Sequence, residues 1–184
     1  LKIARQGGSV ETRRFDGTDA RKILAGMVSD PLVCSRVAKE WPEGGEGLFA
    51  AEWSNIVGGL VVDYFRKYNQ PPRRQLVSLF EEWARNTPAP DAEVESVERF
   101  LRGVFDEEHQ DSGEYLLDLA KQHFGRVALQ RTFAAAQADL AVGKVEEAHE
   151  RIDKFRRINL GSGSYTVPTA DLDVWANAFN VERN

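Results

Sequence analysis

The side chains that could do chemistry are three histidines (His109, His123 and His149), one cysteine and a surplus of carboxylates. His123 and His149 fall on two helices expected to form a hairpin, so they can approach each other. Two histidines without a cysteine or a placed acid make a poor metal site, and a packing or surface role is the better reading. Cys34 lies beside an apolar helical stripe with no histidine close in sequence, and it reads as a small buried hydrophobe. The carboxylates all fall on polar faces, where nothing apolar would raise a carboxyl pKa. Asp106-Glu107-Glu108 lacks the alternating oxygen ligands and turn glycine of a calcium loop. Glu43-Gly44-Gly45-Glu46-Gly47 has no Gly-Lys-Ser/Thr ending, and its glutamates would repel phosphate; Val142-Gly143-Lys144 fails as a phosphate loop for want of the same ending. No HExxH, CxxC, GxSxG or dinucleotide fingerprint occurs. The residues therefore predict no catalytic centre and no metal site.

Composition sets the class. The chain has 184 residues, 42% of them hydrophobic, and a net charge of -5. That balance suits a soluble globular protein. With a pI of about 5.3, a dedicated nucleic-acid-binding face is not expected. The basic pairs Arg13-Arg14, Arg21-Lys22, Arg73-Arg74 and Arg156-Arg157 are balanced by nearby acids and read as solvated helix faces. One cysteine excludes an internal disulfide and fits a reducing, cytoplasmic setting. No apolar run approaches a membrane span. Met27 is the only methionine, so the chain reads as a fragment or a processed product.

The elements follow from apolar periodicity and its breakers. Residues 1–17 read as a flexible lead-in. Thr18 or Asp19 caps a first helix bearing Ile23, Leu24, Met27 and Val28. Asp30-Pro31 ends it and opens a second, with Leu32, Val33, Val37 and Trp41 on one stripe. From about Leu48 to Asn69 runs a strongly patterned helix, with Phe49, Trp53, Ile56, Val57, Leu60, Val61, Tyr64, Phe65 and Tyr68; it is the expected central core helix. Gly58-Gly59 within it suggests close approach of another helix. Leu76, Val77, Phe80 and Trp83 mark a fourth helix. A fifth, capped by Asp91, buries Val94, Val97, Leu101, Val104 and Phe105. Trp41, Trp53 and Trp83 all lie in core stripes.

Ser112 caps a long sixth helix, from about Glu114 to Val142, with two apolar stripes. Tyr115, Leu116, Leu119, Ala120, His123, Val127, Ala134 and Ala138 form one; Leu129, Phe133, Ala136 and Leu140 form the other. Two stripes imply two packing partners. Gly143 turns the chain into a seventh helix, whose Val145, Ala148, Ile152 and Phe155 follow a coiled-coil seam. Residues 159–168 read as a linker. Thr169 then caps a short helix with Leu172, Trp175 and Phe179 on one face. The expected architecture is all-α: a helical head (18–110), an antiparallel hairpin (111–158), a linker (159–168) and a linker helix (169–184).

Four stretches carry a family resemblance: KILAGMVSDPLVCSRVAKEW (Lys22–Trp41), FAAEWSNIVGGLVVDYFRKYNQPPRRQL (Phe49–Leu76), YLLDLAKQHFGRVALQRTFAAAQADLAVGKVEEAHERIDKF (Tyr115–Phe155) and DLDVWANAF (Asp171–Phe179). Their order resembles the N-terminal domain of DnaB-like replicative DNA helicases, particularly phage-type members. The resemblance implies a domain without ATPase activity, because the motor that uses ATP and magnesium lies C-terminal to it. It implies a collar of paired subunits on a hexameric ring, docking of a primase or a helicase loader, and only indirect contact with DNA. It further implies a bacterial cytoplasm, or a host cytoplasm for a phage protein. Leu129, Phe133 and Leu140 are the expected subunit-pairing residues. Leu172, Trp175 and Phe179 are expected to dock on a neighbour. Two readings compete: a stand-alone helical adaptor (a helicase loader or primase-associated protein), and an enzyme assembled from carboxylates or histidines.

Overall fold

Asp30-Pro31 separates two helices for two distinct reasons. The Asp30 amide still donates to the Gly26 carbonyl (2.8 Å), closing the first helix. The Asp30 carboxylate accepts from the amides of Leu32 (2.7 Å) and Val33 (3.2 Å), opening the second, and Pro31 occupies its first turn, where no amide is needed. The computed structural model describes residues 17–44, 46–105 and 111–161. Among these the chain is all-helical, with no strand: α1 (Gly17–Ser29), α2 (Pro31–Glu40), α3 (Glu52–Tyr68), α4 (Gln75–Asn86), α5 (Asp91–Val104), α6 (Gly113–Ala141) and α7 (Val145–Asp153). Ser112 caps α6 by accepting from the Tyr115 amide (3.2 Å). Asn69 ends α3 in the left-handed region, its amide bound to the Phe65 carbonyl.

The centre of the core is α1, not α3. Every residue from Ile23 to Val28 is buried, and α1 packs against α2, α3 and α6 together. Its small residues allow this. A Cβ on Gly26 would stand 2.7 Å from Leu116 Cδ1 of α6, and one on Gly113 would stand 2.7 Å from an Asp30 carboxylate oxygen. α1 and the start of α6 thus touch almost backbone to side-chain tip. Cys34 is fully buried, and burial pushes its thiol pKa up to about 12.

Several local expectations are corrected. α3 begins at Glu52, so Leu48 and Phe49 lie in the preceding loop, where Phe49 is nonetheless fully buried. Thr18 and Asp19 lie inside the first turn of α1. Asp91 is the first residue of α5, and no side chain caps that helix. Gly58 admits a side chain, not a helix: a Cβ there would lie 2.3 Å from the Trp41 ring. The expected linker is anchored at its start, because Leu160 is fully buried in the same core as α1. The first half of α6, through Leu116, Leu117, Ala120 and Phe124, also belongs to that core.

Gly58 and Gly59 give an internal contrast. Alanine is favoured over glycine in a helix by about 1 kcal/mol. At Gly59 a Cβ meets nothing within 4 Å, whereas at Gly58 it strikes a rigid indole. Gly59→Ala should raise the urea midpoint, by roughly 0.5–1 kcal/mol of stability. Gly58→Ala should lower it, by roughly 1–3 kcal/mol from overpacking. Equal effects at the two positions would contradict the packing.

Candidate functional site

α6 is 29 residues long, about 44 Å at 1.5 Å per residue. Its first half is core; its second half runs past the head and folds back into α7. Arg131 marks the exit. Its guanidinium donates from Nη1 to the Gly47 carbonyl and from Nη2 to the Phe49 carbonyl (2.7 Å). Its Nε lies 3.4 Å from the Glu46 carboxylate. Asn55 completes the clasp, with its side-chain oxygen accepting from the Phe49 amide (2.8 Å) and its amide nitrogen donating to the Phe49 carbonyl (3.0 Å). The glycine-rich loop is therefore a structural strap tied to α6. Gly47 has to be glycine, since a Cβ would stand 2.2 Å from the Asn55 oxygen.

The strap seats the Phe49 ring among aromatic neighbours: edge-on to Phe124 (centroids 5.0 Å), tilted to His123 (5.7 Å) and tilted to Trp41 (6.1 Å). His123 is a buried core histidine. Burial lowers its pKa below the usual value; Arg126 adds to that and Asp19 opposes it. The possible pairing with His149 is not realised. His149 is exposed on α7, which packs on the far half of α6, roughly 20 Å along the helix from His123. Among the described residues no group of three or more metal-ligating side chains forms. His109 lies outside the described residues.

The hairpin is closed by Gly143 in the left-handed region and by the Gly143 amide bound to the Leu140 carbonyl (3.0 Å). An Asp139–Arg151 ion pair ties its two helices. Its buried seam is narrower than the sequence predicts. Ala136 and Ala148 are buried, but Val145 and Ile152 are about half exposed, and α7 ends at Asp153 before Phe155. Ala134 and Ala138 face outwards. A nine-residue helix with one buried alanine cannot cover both flanks of α6.

One uncovered flank carries the expected pairing residues. Leu129 is 42% exposed, Phe133 56% and Leu140 52%. At about 100° per residue they fall within about 40° of one another on α6. They form one apolar stripe, which Val145 and Ile152 extend onto α7. The other flank is an open groove of about 670 Å³ between outer α6 and the chain just after α7. Arg131, Arg151, Lys154 and Arg156 line it, with Glu46 opposite and Phe155 on its wall. Sequence reasoning missed this groove. Its one signal in the sequence is the basic pair Arg156-Arg157, which on its own reads as a solvated face.

Leu172, Trp175 and Phe179 lie outside the described residues. No described helix is long and apolar enough to cross a membrane.

No family model, curated protein or solved structure matches this chain.

Two outcomes follow from the site's geometry. Arg131→Met should release the strap, leaving the Gly47 carbonyl without its donor and the Phe49 carbonyl with Asn55 alone. We expect roughly 1–3 kcal/mol of lost stability and faster amide exchange at Phe49, read by hydrogen–deuterium exchange. His123 sets a pH dependence. Its folded pKa lies below its unfolded value near 6.5, so the unfolded chain binds the proton more readily. Stability should be full above pH 6.5 and fall as pH drops below it. His123→Leu should flatten the urea midpoint between about pH 5 and 7, where carboxylates are already ionised. An unchanged slope in this variant would assign the titration elsewhere.

Proposed function

We propose that this chain is a non-catalytic interaction domain that pairs with a second copy of itself through the α6–α7 hairpin. In the whole protein, it would form the N-terminal collar of a hexameric replicative DNA helicase and receive a primase or loader. The observation that supports self-pairing is the stripe of Leu129, Phe133 and Leu140, three large apolar side chains exposed on one line of one helix. A soluble surface seldom leaves such a stripe uncovered. A straight helical stripe is also self-complementary under a two-fold axis, the geometry of an isologous dimer. The wider assignment rests on the sequence resemblance. In that reading ATP and magnesium belong to a motor beyond this chain, DNA contact is indirect, and Leu172, Trp175 and Phe179 dock on a neighbouring subunit.

Magnitudes define the test. Each of the three side chains is already half covered, so pairing recovers on the order of 1 kcal/mol apiece. Six such residues in a symmetric pair recover about 6 kcal/mol, comparable with the low end of the roughly 4–15 kcal/mol cost of association. The isolated domain should pair weakly, and tethering in a ring would strengthen it by effective concentration. Sedimentation equilibrium over a wide concentration range should show a monomer–dimer equilibrium. Phe133→Glu or Leu129→Glu should leave monomers with an unchanged helical circular dichroism spectrum. Monomers at every concentration in the parent chain, or dimers that survive both changes, would sink the reading.

A further inference from the structure

The geometry points to a second binding site, on the opposite flank of α7 from the apolar stripe: a groove that takes an acidic peptide segment of a partner protein. The chain carries a net charge of -5, yet four cationic side chains, Arg131, Arg151, Lys154 and Arg156, converge on this one groove. Three of them already hold a carboxylate. Arg131 meets Glu46 at 3.4 Å, Arg151 meets Asp139, and Lys154 meets Glu150 at 2.7 Å. Of these three carboxylates only Glu46 lines the groove itself. Among the described residues Arg156 has no ion-pair partner, and it remains available to an incoming one.

The weakest of the three pairs is also the most replaceable. The Glu46 side chain is 81% exposed and its separation from Arg131 is the longest of the three. A partner's carboxylate can take its place at little cost, since an exposed pair of this kind contributes at most about 1 kcal/mol. Between the cations the wall is apolar, formed by Ala134, Ala135 and the half-buried Phe155. Cations flanking an apolar strip match a segment that alternates acidic and apolar residues. A nucleic acid fits less well. Its phosphates would come as a continuous row against a chain of overall negative charge, and a single wall-bound phenyl ring is not the series of platforms on which successive bases stack.

This site is independent of the pairing stripe, so each can fail without the other. The test uses the full chain and a fluorescein-labelled peptide of alternating glutamate and leucine, read by fluorescence anisotropy at low salt. A labelled oligothymidylate of similar length is run in parallel. Saturable peptide binding is expected. Arg156→Glu should weaken it about tenfold or more, the loss of one charge-assisted pair together with added repulsion. Glu46→Gln should tighten it by removing the internal competitor. Arg102→Glu, an exposed change on α5, should have little effect. The proposal is overturned if the peptide does not saturate, if Arg156→Glu weakens binding no more than Arg102→Glu, if Glu46→Gln fails to tighten it, or if oligothymidylate binds more tightly than the peptide.

Discussion

The clasp of Arg131 on the Gly47 and Phe49 carbonyls is the contact on which the rest of the molecule depends. It occurs where α6 stops being a core helix. Without it, the segment before α3 would have the Gly47 carbonyl to satisfy, the Phe49 carbonyl held by Asn55 alone, and an aromatic ring to place. With it, Phe49 closes the core over His123 and Phe124, and the outer half of α6 leaves the head in a fixed direction. An arginine suits this place because its planar fork reaches two acceptors at once. The hairpin beyond it inherits that direction, so the orientation of both its flanks is set from the core.

Much of this was readable in the residues. The Asp30-Pro31 junction, the Ser112 cap and the Gly143 turn each have a local cause, and local causes survive folding. The apolar stripe of α1 followed from periodicity, and so did that of α2 apart from Leu32, which is 41% exposed. What escaped is non-local. Phe49 continued the period of α3, but a tertiary clasp holds it in a loop. α1 is central because Gly26 and Gly113 permit close approach, and small residues leave no periodic signal. Leu160 sat among linker residues, and only its seat in the core distinguishes it. The basic groove gathers Arg131 with residues about twenty positions further on, which is legible only once the hairpin closes.

The two flanks of the hairpin differ in physical character, and α7 is the reason. A helix this short, with Ala148 as its one buried residue, seals a single line along α6. It leaves an apolar flank on one side and a cationic one on the other. Apolar burial is non-directional and grows with area, so it suits a large, repeated contact. Charge pairing is directional and salt-sensitive, so it suits a short and exchangeable one.

Cys34 adds a consequence of another kind. It is the only thiol in the chain, wholly enclosed beneath α1, and its ionisation lies near pH 12. Only a thiolate reacts at an appreciable rate, so the native protein offers almost none to an alkylating reagent or an oxidant. Modification has to wait until the helices around it part. The speed at which this one sulfur is consumed is therefore a clock for the breathing of the core, built into the natural sequence and readable without any label.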